Sequence, residues 1–164
     1  MTPEEAFVQF YAQWKDRCLR ALCATGADRA VAEEATAEAF ARAWASWSKV
    51  SRHPAPAAWV LRTAMNHRVS GWRRTRREVA LTAEFADRWS QPGQDHAERD
   101  DLARAVAALP QRQREVLALR IFLDLDTAQT ADALGLAPGT VTAHLHRAIR
   151  TLRDATPVDL ETSS

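Results

Sequence analysis

Residues 127–153 read TAQTADALGLAPGTVTAHLHRAIRTLR, two helical patterns meeting at a glycine. Ala131 stands where two helices cross closely, because a larger side chain would push them apart. Gly135 then supplies a turn conformation that other residues resist. Val141 enters the core from the second helix, and Leu134, Leu145, Ala148, Ile149 and Leu152 complete the packing. The joint spacing predicts a helix-turn-helix, with an ordinary helical hairpin as the plainer alternative. The second helix begins at Pro138, so Gly139 and Thr140 present backbone N–H groups that suit a phosphate, aided by the helix dipole. Thr142, Ala143, His146 and Arg147 point away from the packed side near that end, where a recognition helix reads base edges.

The rest of the chain is also written for helix. Of 164 residues 46% are hydrophobic, while Gly (5) and Pro (7) are sparse and Ala and Arg abundant. That mixture favours helix nearly throughout. No apolar run is long enough to span a bilayer. The N-terminal MTPEEAFVQF lacks the basic start and apolar core of a signal peptide. A cytoplasmic protein without membrane insertion is expected. Cys18 and Cys23 sit on one predicted helix pointing in different directions, so they read as unbridged small hydrophobes, with neither a metal site nor a cofactor expected.

Thr2, Pro3 and Glu5 spell a helix start with a capping box. Phe7, Phe10, Tyr11, Trp14, Cys18 and Leu22 form its buried stripe, and Gly26 ends it. Asp28 caps a second helix to about Ser48, with Val31, Ala35, Ala39, Trp44 and Trp47 inward and Glu33, Glu34, Glu38 and Arg42 on the polar face. Pro54 and Pro56 precede a third helical segment over roughly 57–76. Residues 78–100 lack periodicity and hold Ser90, Pro92 and Gly93 among acids, which predicts a linker. Helical patterning returns at Asp101, with segments near 101–109, 111–122, 127–134 and 138–153. The expected fold is all-α: two small helical domains, 1–77 and 101–154, joined by a flexible acidic linker over 78–100, with a loose tail over 155–164.

The net charge is only +1, but it is unevenly spread. Residues 51–77 contain Arg52, Arg62, Arg68, Arg73, Arg74, Arg76 and Arg77 with no acid, and the acid-rich stretch follows. A basic block suggests a polyanion partner; a solvated helix face is the alternative. On an ideal helix Trp59, Arg62, Asn66, Arg73 and Arg77 share one broad face, and Val60, Leu61, Ala64, Met65 and Trp72 lie mostly on the other. Arginines hold phosphates, while an amide and an indole engage an unstacked base. Equally, Trp59 could be a core residue and Asn66 a helix cap.

Three stretches in order carry a resemblance: AEEATAEAFARAW (32–44), AWVLRTAMNHRVSGWRRTRRE (58–78) and LPQRQREVLALRIFLDLDTAQTADALGLAPGTVTAHLHRAIRTLR (109–153). From about Glu4 to Arg153 the chain resembles the extracytoplasmic-function class of bacterial sigma factors. The resemblance implies a non-enzymatic subunit that brings core RNA polymerase to promoter DNA. It implies a core-polymerase face at Glu33, Glu34, Glu38 and Arg42. It also implies minus-10 recognition and melting by Trp59, Arg62, Asn66, Arg73, Arg74 and Arg77, and minus-35 recognition by Gly139, Thr140, Thr142, Ala143, His146 and Arg147. An anti-sigma protein is the implied regulator. The chain departs from the family pattern at Ala37, Thr130, Ala137 and the Thr142-Ala143-His144 run. A stand-alone helix-turn-helix regulator is the rival, but it leaves the basic block and the 32–44 stretch unexplained. A helical adaptor for protein alone needs neither Gly139-Thr140 nor Arg147.

Overall fold

The computed structural model describes residues 1–75 and 96–155, with side chains within 1–67 and 101–155. Helix α1 (Pro3–Ala24) opens with the expected capping box: Glu5 N donates to Thr2 Oγ1 at 3.2 Å and Thr2 N donates to Glu5 Oε2 at 2.9 Å. It stops where Gly26 takes a φ of 103°, a value that favours glycine. Helix α2 (Arg29–Ala45) starts on the Asp28 carboxylate, which accepts from Ala30 N at 2.8 Å. A short α3 (Trp47–Val50) leads to α4 (Pro56–Thr75). His53 Nδ1 accepts from Ala55 N at 3.0 Å just before α4, and Pro56 suits its first position.

Small residues set how closely these helices pack. Ala32, Ala35, Ala39 and Ala43 of α2 and Ala57, Ala58 and Ala64 of α4 are all buried, alongside Val60 and Leu61. Phe7, Phe10, Phe40 and Trp47 close one end, with Phe7–Trp47 and Phe10–Trp47 centroids both 5.2 Å apart. Trp44 departs from the sequence expectation. Phe7 and Trp47 already fill the seam, so Trp44 rests on Phe7 and stays 43% exposed. Cys18 is buried and Cys23 half-buried; both are free thiols, and burial pushes the Cys18 thiol up to about 12.

The C-terminal half contains α5 (His96–Ala107), α6 (Gln111–Leu117), a π-helical turn (Ala118–Phe122), α7 (Thr127–Leu134) and α8 (Pro138–Ala155). Helix α5 begins at His96, earlier than the patterning at Asp101 suggests. Residues 76–95 and 156–164, which hold Arg77, most of the expected linker and nearly all of the expected tail, lie outside the described residues. Asp126 Oδ1 accepts from Gln129 N at 2.7 Å, and Asp126 N donates back to Gln129 Oε1 at 3.0 Å, a second capping box at the start of α7. Gly135 ends α7 at φ 66°. Ala131 and Val141 then pack with buried Val116, as the sequence spacing requires, while Leu109, Leu117 and Ala148 form a neighbouring cluster. Ile149 departs from expectation: it lies half-buried beside a surface cleft instead of inside either cluster.

The two halves share their main core. Ala118, Leu119, Leu123 and Leu125 are buried in the same cluster as Cys18, Leu22 and Leu61. The π turn makes this possible. Its wider turn shifts the phase of the side chains, so Val116 and Leu117 serve the C-terminal clusters while Ala118 and Leu119 face α1. Arg120 Nη1 donates to the Leu125 carbonyl, and Leu125 N donates to Leu119 O at 3.2 Å, closing the loop behind that turn.

One buried group runs against this packing. Thr130 is fully buried, and its hydroxyl has no hydrogen-bond partner. An unsatisfied buried hydroxyl carries its desolvation cost with nothing in return. Thr130→Val should stabilise the protein by about 1 kcal/mol, raising Tm by about 2–4 °C. Gly135→Ala, placing a Cβ in a left-handed conformation, should destabilise by about 1–2 kcal/mol. Calorimetry of both variants checks this; a lower Tm for Thr130→Val would mean that the hydroxyl is satisfied in solution.

Candidate nucleic-acid interface

Helix α8 has one buried and one exposed side. Val141 and Ala148 are fully buried, which fixes its rotation. Thr142, His146 and Arg147 are exposed, and Ala143 is half-buried beside them. The Thr142 hydroxyl donates to Pro138 O at 3.2 Å, so its lone pairs face outward while its proton serves the helix. His144 lies half-buried and His146 exposed.

The N-terminus of α8 needs a correction. Thr140 N donates to Ala137 O at 3.0 Å, and Val141 N bonds the same carbonyl at 3.1 Å. The first turn is tight, so the Thr140 N–H is already engaged, contrary to the expectation that it stands free. Gly139 remains exposed, and a Cβ there would meet nothing within 4 Å. Sequence reasoning also missed Arg150 and Arg153. They line one cleft with His146 and Ile149, extending the basic side of α8 toward its C-terminus. Their spacing from His146, one and two helical turns on, was the available signal.

On α4 the observed faces agree with the helical projection: Val60, Leu61 and Ala64 are buried, Met65 is partly buried, and Arg62 and Asn66 are exposed. Trp59 lies between the two possibilities, half-buried against the main core. It lines a small cleft of about 150 Å³ with His53, Pro54, Ala58 and Arg62 on one wall and Gln129, Asp132 and Ala133 of α7 on the other. Arg73 and Arg74 lie on the α4 backbone, but their side chains are outside the described ones. On α2, Glu33, Glu34 and Arg42 are exposed and Glu38 is half-exposed. Arg29 Nε donates to Glu33 Oε1 at 2.9 Å, and Arg42 Nε donates to Glu38 Oε1 at 3.1 Å. Such exposed pairs are screened by solvent and contribute little, too little to oppose exchange for a partner's charges.

Two family models match: sigma-70 region 2 over residues 10–78 and sigma-70 region 4 over residues 99–152. The RNA polymerase sigma-E factor of Streptomyces antibioticus is 33% identical over 124 residues, spanning 75% of this chain and 69% of the relative. The ECF RNA polymerase sigma factor SigL of Mycobacterium tuberculosis is 36% identical over 139 residues, spanning 81% and 78%. The chain belongs to the extracytoplasmic-function class of sigma factors. Its fold is shared by solved structures. The sigma factor RpoE of Bartonella quintana, crystallised with the anti-sigma factor NepR, aligns with a TM-score of 0.76 at 21% identity, covering 94% of this chain and 99% of that one. CnrH, in complex with the cytosolic domain of CnrY, aligns with a TM-score of 0.63 at 22% identity, covering 95% and 90%.

This sigma factor acts with RNA polymerase, recognising promoter elements through its regions 2 and 4. Among the described residues, no group of three or more His, Cys, Asp or Glu side chains could hold a metal ion. No described helix is long and apolar enough to cross a membrane.

The engaged Thr140 N–H identifies Ala137 as the residue that caps α8 without a side-chain acceptor. Ala137→Ser should therefore stabilise region 4 by about 1 kcal/mol, with a rise in the urea midpoint and unchanged slope. An unchanged midpoint would place the start of α8 elsewhere.

Proposed function

We propose that α8 reads the minus-35 element in duplex DNA, with Thr142, Ala143, His146 and Arg147 at the base edges and the Gly139 N–H and the Thr140 hydroxyl against a phosphate. The observation that carries this is the locked rotation of α8. Val141 and Ala148 hold one side in the core, so Arg147 and His146 have nowhere to face but outward. A helix set at a fixed rotation presents the same side chains to a groove every time, as sequence reading demands. On the same reading, α4 captures minus-10 bases as the duplex opens, through Trp59, Arg62 and Asn66, with Arg73, Arg74 and Arg77 on phosphates. Base capture offsets part of the unstacking cost, a few kcal/mol per base.

Glu33, Glu34, Glu38 and Arg42 form the face toward core polymerase in this reading, and all the bond-making chemistry is the polymerase's. Residues 1–77 and 101–154 act as the two DNA-reading units, with the acidic stretch between them kept off DNA by its charge. Work with polymerase places the protein in the cytoplasm. An anti-sigma protein is the expected regulator, since the solved relatives RpoE and CnrH were captured with NepR and CnrY.

Arg147 gives the sharpest test. A bidentate guanine contact is worth about 1–3 kcal/mol of discrimination, whereas a phosphate contact weakens all sequences alike and flattens the salt dependence. Binding of Arg147→Ala holoenzyme to a duplex promoter and its single-base minus-35 variants, at two salt concentrations, should show preference lost at one base pair. A uniform loss would reassign Arg147 to a phosphate, and no change at all would remove α8's outward side as the reading surface.

A further inference from the structure

Four helical arginines outside α8 pair with an acid of their own helix: Arg29 with Glu33, Arg42 with Glu38, Arg104 with Asp101 and Arg112 with Glu115. On α8, Arg147, Arg150 and Arg153 are all exposed, and among the described residues none of them pairs with a carboxylate. Asp154, the one acid of α8, follows Arg150 by four residues and makes no ion pair with it. Spacing would allow that pair. Three unpaired cations leave this side of the helix positive and open to a polyanion.

Helical phase sorts the three. Each residue turns the helix by about 100°. Gly139, Ala143 and Arg150 therefore fall within about 40° of one line, opposite Val141, Ala148 and Leu152, which face the core clusters. His146 and Arg153 share one flank of that line, and Arg147 lies on the other. Gly139 and Ala143 carry almost no side chain, so the first turns can approach a surface closely. Arg150 and Arg153 come about 10 Å along the axis after Ala143 and His146. That is close to the width of a major groove, about 12 Å. A helix whose first turns reach base edges has arrived, by Arg150 and Arg153, at the wall of the groove, where the phosphates stand. A cleft of about 380 Å³ runs along this flank, lined by His146, Ile149, Arg150, Arg153 and Asp154.

We propose that Arg150 and Arg153 grip the sugar–phosphate backbone at one edge of the groove that α8 enters, on the strand that His146 faces. This anchor is separate from base reading. It holds any sequence in the groove while Thr142, Ala143, His146 and Arg147 test base edges, so it adds affinity without preference. A guanidinium suits the task, since it offers a phosphate two parallel N–H donors. By phase Asp154 falls on the flank of Arg147, turned from that strand. The anchor rests on the reading of α8 as the DNA-reading helix, and the experiment separates the two.

The test compares three holoenzymes: Arg150→Ala with Arg153→Ala, Arg150→Lys with Arg153→Lys, and Arg147→Ala. Each binds the duplex promoter and its single-base minus-35 variants over a range of salt concentrations. The double alanine variant should bind every sequence about tenfold more weakly, with the ratios among them unchanged. Its plot of log affinity against log salt should be shallower by about 2, one counterion for each lost arginine. The double lysine variant should keep the native slope, because an ammonium also neutralises a phosphate. Alanine preserves helix propensity at both positions, so far-UV circular dichroism and affinity for core polymerase should not change. Native affinity and slope in the alanine variant would make this a solvated side and overturn the anchor. Preference lost at one base pair, a weaker hold on core polymerase, or a lysine variant with the alanine slope overturns it equally. If Arg147→Ala loses preference while the double alanine variant binds like the native chain, base reading by α8 stands and the anchor falls. If Arg147→Ala changes nothing while the double alanine variant weakens every sequence alike, the anchor stands and the base reading falls.

Discussion

The core of the N-terminal half is finished by side chains from the C-terminal half. Ala118, Leu119, Leu123 and Leu125 sit in one buried cluster with residues of α1, α2 and α4. Burying a leucine contributes about 1.5–3 kcal/mol, so Leu119, Leu123 and Leu125 together are comparable with much of a small domain's net stability. The π turn at Ala118–Phe122 is the local device that turns these residues toward α1 while α6 still serves region 4.

The same contact gives the two DNA-facing helices unequal access. The rotation of α8 is fixed by its own clusters, so its outward residues are set whether or not the halves touch. The exposed strip of α4 shares a cleft with α7, so its access depends on the inter-half contact. The same leucines that build the shared core hold α7 beside Trp59.

Much of the fold was legible in the sequence. Thr2, Asp28, Gly26 and Gly135 mark helix ends because caps and left-handed turns are local chemistry, settled within a few residues. Ala131 and Val141 were legible because neighbouring helices leave a fixed spacing. Periodicity reports which side of a helix is apolar but not what covers it. Nothing in the spacing therefore shows that Leu119 and Leu123 meet α1, and Trp44 read as buried when Phe7 and Trp47 had already filled its place. The engaged N–H of Thr140 was hidden for a different reason: a tight first turn leaves no trace in residue identity. Of the proposed site, the outward residues of α8 and α4 were readable from helical phase; the cleft that joins α4 to α7 was not.

The shared core is directly measurable because all six tryptophans fall within residues 1–89. Tryptophan fluorescence during urea unfolding therefore reports the N-terminal half and its following segment, while Leu123 belongs to the C-terminal half. Leu123→Ala should lower the stability reported by tryptophan by about 2–5 kcal/mol, the usual cost of such a truncation in a core, and far-UV circular dichroism should follow the same transition. If the tryptophan transition stays where it is while circular dichroism shows region 4 unfolding earlier, the halves do not share a core in solution.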